Sequence, residues 1–381
     1  VDEITMVREL YGSPEPDPAA RERIRARVVG GRPVRRPHRR MTFGLGLVAA
    51  ATAVVAGASL LSGGTTRTPV VLGTTGGDDG SARSILLAAA DSAEKEQPGR
   101  YWRLHTTYAD TYRVKAGYNV EGNRWESDRW MARSKDEPDH NFDRDLPSRP
   151  QTPADEAAWR RAGSPKTWKV ISSGRPYTLT TESTGWRSAT ISAEQKRRRD
   201  DRACGDGSPA GPQGCNPMLG PSTEERVLTD PGLFRKSHAE LRAKRVRALV
   251  ESEPHLEKEA AARFDLPIIS LFLTTRPASP QVRAAAFRLL ADTPGIRSIG
   301  TVTDRAGRRG IGLAARATKD DGGGTVYDEV LILEPKTYRI LGEQQMIVKA
   351  AGPYRGMAPG TVLSHTVVHH AGWTDAKPAH P

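Results

Sequence analysis

Cysteine is nearly absent, with 2 in 381 residues, which excludes a disulfide-dense miniprotein and a multi-cysteine metal site. Lysine is scarce too: 13 against 44 arginines. The formal net charge of +12 therefore rests on arginine, and beside so much alanine and glycine it reads as GC-rich coding as much as selection for a polyanion. The chain has no phosphate-cradling loop, no Gly-x-Gly-x-x-Gly after a strand, no Gly-x-Ser-x-Gly elbow and no His-Glu-x-x-His. It thus carries no catalytic motif of known mechanics and implies no cofactor. Long apolar runs are missing except for one, which excludes a multi-pass transporter.

What is present suffices for a folded domain. Hydrophobic residues make up 37% and charged ones 27%, a balance that permits a packed core and argues against wholesale disorder. The length allows two or so domains at ~150 residues each. Val1 fits a translated alternative start codon, so residue 1 is expected to be the true beginning.

The one apolar run is residues 41–64, MTFGLGLVAAATAVVAGASLLSGG, 24 positions without a charge. At ~1.5 Å per residue it exceeds a ~30 Å hydrocarbon layer, so it predicts a single transmembrane helix. Arg32, Arg35, Arg36, Arg39 and Arg40 precede it, whereas Arg67 alone follows closely. That asymmetry places the N-terminus in the cytoplasm and the rest outside the cell membrane. Two other readings compete: Ala56-Gly57-Ala58 resembles a signal-peptidase site, and Arg39-Arg40 with Phe43 resembles a twin-arginine signal.

The predicted organisation is a cytoplasmic arginine-rich segment (1–40), the span (41–64), a Gly/Thr-rich linker (65–80) and an extracytoplasmic α+β domain (81–377). The first 40 residues hold His38 but no Cys, which excludes a cytoplasmic zinc motif of the His-and-Cys-x-x-Cys type. Ile85, Leu86, Ala89 and Ala93 share a helix face that stops before Pro98-Gly99. Aromatic and β-branched residues from Tyr101 to Trp130 predict a strand meander with turns at Gly117 and Gly122-Asn123. The polar middle, 134–221, is harder to assign; a helix at 154–162 and strands near Trp168, Tyr177 and Trp186 are expected. Ser237 with Glu240 predicts a capped helix, Pro254 opens a second and Ser279-Pro280 a third. Strands then return, turning at 304–307 and at 334–337, and end at His370. The fold class is α+β, with a curved antiparallel sheet and packed helices behind the transmembrane helix.

Cys204 and Cys215, ten residues apart in the gap between them, are expected to form a structural disulfide in an oxidising exterior, worth ~2–3 kcal/mol if unstrained. His365, His369 and His370 are the best candidates for metal ligands. In a regular strand, however, the first two stand ~13 Å apart and the third faces the other way, so no metal site is predicted. Asp320-Asp321 and Asp328-Glu329 read as turn chemistry or as pairs pointing to opposite faces rather than as an acid and base. The run Lys196-Arg197-Arg198-Arg199-Asp200-Asp201-Arg202 reads as a solvated loop that can meet anionic wall polymers or lipid; nucleic acid is not an expected partner.

Several segments together resemble an actinobacterial family of uncharacterised single-pass membrane proteins named after a locus tag. They are Asp2-Glu3 with Val7-Arg8-Glu9-Leu10, the Pro16-Asp17-Pro18-Ala19 step, Phe287-Arg288-Leu289-Leu290-Ala291-Asp292, Gly300-Thr301-Val302-Thr303-Asp304, and Glu329-Val330-Leu331-Ile332-Leu333-Glu334-Pro335. The resemblance implies topology and no activity. The order of helix, meander and later hairpins also resembles the half-barrels of periplasmic lipoprotein carriers and envelope-stress sigma regulators, which cup acyl chains or a partner's peptide. The expected function is non-enzymatic binding of a lipid, a cell-wall component or an envelope protein; the alternative is a signalling regulator that couples exterior binding to residues 1–40.

Overall fold

Alternation of buried and half-buried side chains along two separate stretches produces two antiparallel meanders, and the last strand of the second lies beside the first strand of the first. The computed structural model describes residues 79–172, 175–196, 226–252, 257–318 and 324–380. Helix α1 (Asp79–Glu94) leads into β1 (Tyr101–Arg113), β2 (Asn119–Ala132) and β3 (Asp139–Asp145). An excursion follows: β4 (Arg149–Pro150), α2 (Pro153–Arg161), the hairpin β5 (Thr167–Ser172) and β6 (Arg175–Thr180), then β7 (Arg187–Ile191). Three helices come next, α3 (Pro231–Ser252), α4 (Glu257–Thr275) and α5 (Pro280–Ala291). The second meander is β8 (Arg297–Thr303), β9 (Arg309–Thr318), β10 (Val326–Leu333), β11 (Ile340–Lys349) and β12 (Val362–Thr374).

The sheet runs β7-β3-β2-β1-β12-β11-β10-β9-β8, with β4 alongside β2, and every pairing is antiparallel. One face carries the main core: Leu313, Ala315, Leu331, Leu333 and Val368 pack against Leu86 of α1, Leu266, Ile269 and Leu273 of α4, and Val282, Phe287 and Leu290 of α5. Burial of this apolar surface, at about 25 cal/mol per Å² removed from water, holds the helices to the sheet. On the opposite face Val302, Ala314, Val330, Ile332, Met346 and Val362 form a smaller cluster.

The sheet curls toward that second face. Five strand steps separate β9 from β2 in the sheet order, which at ~4.8 Å each would be about 24 Å if flat. Yet Arg305, in the turn joining β8 to β9, bonds directly to Glu121 of β2, so the hairpin tip folds back across the intervening strands. Gly312 makes room for the fold: a Cβ there would stand 2.7 Å from Ile299 and 2.8 Å from Val302. The helices thus cover the convex face, and the concave face is the one lined below.

Local signals explain most boundaries. Ser279 caps α5, its side chain accepting from the Val282 amide, with Pro280 in the first turn. Thr152 and Asp155 form a capping box at α2. Helix α3 begins earlier than the Ser237 and Glu240 pair suggests, because the Asp230 carboxylate accepts from the Gly232 and Leu233 amides ahead of it. Gly122-Asn123 is a bulge inside β2 rather than a turn: Tyr108 and Asp110 pair with Trp125 and Gly122, and Asn123 takes φ +49°.

Two expectations need correction. More of the described chain is strand than helix, and among the described residues no helix is long and apolar enough to cross a membrane. The α+β class led by a transmembrane helix is therefore replaced by a mainly antiparallel sheet with helices on one face. The described helices are too charged to span: α4, the most apolar of the later ones, still carries Glu257, Lys258, Glu259, Arg263 and Asp265. The expected span, 41–64, lies outside the described residues, as do segments 1–40 and 65–78. The expected disulfide is likewise not found: no disulfide occurs among the described residues, and Cys204 and Cys215 lie outside them.

Candidate functional site

Alternation along β1 sends Arg103, His105, Thr107, Ala109 and Thr111 to the concave face, and antiparallel register brings Asp128, Glu126 and Glu121 beside them from β2. Each acid there is met by arginine. Asp128, fully buried, accepts from Arg103 Nε at 3.0 Å and Nη2 at 2.8 Å. Asp328 of β10 accepts from Arg316 Nε at 2.6 Å and Arg297 Nη2 at 2.5 Å. Asp304 holds the β8–β9 turn together, accepting the Ala306 amide at 2.9 Å, the Arg308 amide at 2.8 Å and Arg308 Nε at 2.7 Å.

Around Glu121 the balance tips to positive. Arg305 donates to Oε1, Arg149 Nε to Oε2 at 3.0 Å, and Arg124 Nε stands 3.9 Å from Oε2. Burial alone would raise the Glu121 pKa, but Arg305, His365 and Arg149 outweigh it and hold the carboxylate ionised. Burial and the neighbouring Arg149 and Arg305 lower Arg124 to about 10 even with Glu121 beside it. His365 of β12 pairs with Gln344 of β11 on the same face. Its pKa falls to about 4, mainly through burial. Among the described residues His365 Nδ1, Gln344 Oε1 and Arg124 Nε find no hydrogen-bond partner although all three atoms are buried.

A second cluster lies along the same face. His105 Nε2 is 2.8 Å from Glu126 Oε1, Arg144 of β3 donates to the other oxygen from Nε at 2.8 Å, and the His369 ring lies tilted at 41° against His105 with centroids 4.7 Å apart. Thr107 Oγ1 lies 2.8 Å from His369 Nε2. Burial raises the Glu126 pKa less than the His105 and Arg144 hydrogen bonds lower it. His369 is lowered by burial, then by His105.

These positions differ from the expectation for the three β12 histidines. His105 pairs with His370 and Thr106 with Val368, which leaves His369 as the extra residue of a bulge. Val368 and Ala371 both pack on the helical core, so His369 and His370 turn together to the concave side. His370 is not the outward member of an alternating strand. The partners of His369 are His105 and Glu126 from other strands.

Asp328 and Glu329 do face opposite ways, as adjacent residues of a strand must: the first meets Arg316, the second accepts from Gln345 at 2.8 Å. Lys196 is a structural clip, its Nζ donating to Asp139 Oδ1 at 2.7 Å and to the Ala132, Ser134 and Glu137 carbonyls. Residues 197–202 and 320–321 lie outside the described residues. Clefts of about 730 Å³, between α3 and α4, and about 420 Å³, between α1 and the end of α5, lie among helices. No protein-family model, curated protein or solved structure matches this chain.

Proposed function

We propose that the chain is a non-catalytic binding domain whose concave face takes an anionic group carried by a lipid headgroup, a cell-wall polymer or a protein partner. The observation that carries this reading is the excess of guanidinium at Glu121, where Arg124, Arg149 and Arg305 converge on one carboxylate. The Arg149 side chain remains 55% exposed, so an arriving phosphate or carboxylate meets a reachable guanidinium. Arginine's planar fork suits bidentate recognition of such groups. A pure acyl-chain cup is less well supported, because ionised pairs line the curve and the large clefts lie among helices.

The test is titration of the full chain with glycerol phosphate, with a short poly(glycerol phosphate) and with phosphatidylglycerol vesicles against phosphatidylcholine vesicles. Binding that weakens with salt and falls about tenfold in Arg149→Gln, but not in the α2 surface control Arg160→Gln, supports the reading. Vesicle-only binding assigns the lipid source and polymer-only binding the wall source. Affinity equal in Arg149→Gln and the parent, or no binding to any probe, overturns it.

A further inference from the structure

We infer that His105, Glu126 and His369 form a binding site for a divalent transition-metal ion of the zinc class. One ligand atom from each lies within 4.8 Å of the others. The three residues come from adjacent strands β1, β2 and β12, so sheet hydrogen bonding fixes their spacing. His105 Nε2 and Glu126 Oε1, 2.8 Å apart, already stand near the separation of two ligands that share one ion at ~2.0–2.2 Å. A shift of a few tenths of an ångström at His105, and a rotation of the exposed His369 ring, closes the set.

The surroundings are those of a ligand set rather than a chance meeting. Arg144 holds Glu126 by its second oxygen, with Nη2 at 2.7 Å, which leaves the first turned to the histidines and orients the carboxylate from outside. Thr107 Oγ1, both donor and acceptor, fits either tautomer of His369 at its Nε2. Two nearby guanidiniums are each matched by a carboxylate, Arg144 by Glu126 and Arg308 by Asp304, so neither stands as an unbalanced positive charge beside the set. Two imidazoles and one carboxylate select zinc, cobalt, nickel or copper over magnesium or calcium, which prefer all-oxygen shells. Three protein ligands leave at least one position for water or for a group on a bound partner.

The ion would sit on the same concave face as the Glu121 cluster but shares no side chain with it, so the two proposals stand or fall separately. The test is titration of the full chain with Zn²⁺, followed by Co²⁺ as a spectroscopic probe. One equivalent is expected, with the intense visible bands of four- or five-coordinate cobalt. His105→Gln, Glu126→Gln and His369→Gln should each weaken binding at least ~100-fold, Arg144→Gln about 10–100-fold, and His140→Gln not at all. Circular dichroism in the absence of metal shows which variants fold. If the variants on β1 and β2 do not, His369→Gln, at an exposed position, carries the test alone. No bound equivalent, octahedral cobalt spectra, or unchanged affinity in His369→Gln overturns the inference.

Discussion

The Arg305 guanidinium, at the tip of the β8–β9 turn, donates to the Glu121 carboxylate on β2, and this contact closes the curl of the sheet. The same arginine reaches the Gln151 carbonyl at 3.3 Å, while the Gln151 amide donates to Thr111 Oγ1 at 2.8 Å and the Val362 carbonyl at 2.7 Å. One buried acid thereby ties together β2, the segment after β4, β12 and the hairpin tip. At this end the concave face is held by an ion-pair network as well as by the apolar cluster of Val302, Ile332, Met346 and Val362.

Removing the acid should therefore cost more than removing the exposed Arg149. Glu121→Ala strands three guanidiniums around a fully buried position. Breaking a buried pair in this way typically destabilises by about 3–5 kcal/mol. Arg149→Ala, at a side chain 55% exposed, is expected to lose no more than about 1 kcal/mol. Urea midpoints for the two variants check the order; equal losses would place the closure elsewhere.

The helical layer has its own buried acid. Asp265 of α4 lies 3.2 Å from His238 Nε2 and 3.3 Å from Arg242 Nε of α3, and accepts from Thr293 Oγ1 at 2.8 Å just past α5. Asp265→Asn keeps the shape and removes the charge. It is expected to destabilise by about 2–3 kcal/mol and to speed amide exchange in α3 before the sheet is affected. Uniform acceleration across sheet and helices would show that α3 is not held separately by this residue.

A half-buried acid and a buried histidine give opposing pH slopes. Burial raises Glu343 to about 7, only partly offset by the hydroxyl of Thr274 at 3.2 Å. Its folded pKa is above its unfolded one, so its contribution is fully present below about 4.5 and is lost as pH rises to about 7. His365 is lowered to about 4, so its contribution is present above about 6.5 and is lost as pH falls toward 4. Each is worth roughly 3 kcal/mol across its window. The parent should show a shallow dependence between pH 4.5 and 6.5. Glu343→Gln should steepen the acid-side loss and His365→Gln the loss on raising pH. Chemical denaturation at intervals of pH reads all three curves.

The turns at 304–307 and 334–337 were legible in the sequence because their chemistry is local, whereas Gly122-Asn123, read as a turn, is a bulge set by pairing with β1. Asp304 through Gly307 carries its own hydrogen bonds, and Glu334 Oε2 accepts the Lys336 and Thr337 amides within four residues. The start and proline of α5 were readable for the same reason. Strand neighbourhood was not, because the β1 and β12 partners are some 260 positions apart and no local pattern encodes their pairing. The His369 bulge was hidden as well, since alternation assumes one residue per step, and a single inserted residue reverses the face of His370. The candidate metal ligands were therefore visible only as isolated polar residues on three strands.

Close strand approach gives a last test of the sheet. At Gly342 of β11 a Cβ would lie 2.4 Å from the Thr366 carbonyl oxygen of β12. Since that atom is backbone, it cannot rotate aside as a side chain would. Gly342→Ala must push β11 off β12, next to the register pairs Gly342 with Val367 and Gln344 with His365. A loss of about 3 kcal/mol, at the upper end of overpacking penalties, is expected, with the His365 imidazole resonance shifting because its strand moves. Gly185→Ala, where a Cβ meets nothing within 4 Å, is the matched control and should stay within about 0.5 kcal/mol of the parent. Equal midpoints for the two variants would mean that β11 and β12 are not in the described register, and the His365 and Gln344 pairing would fall with it.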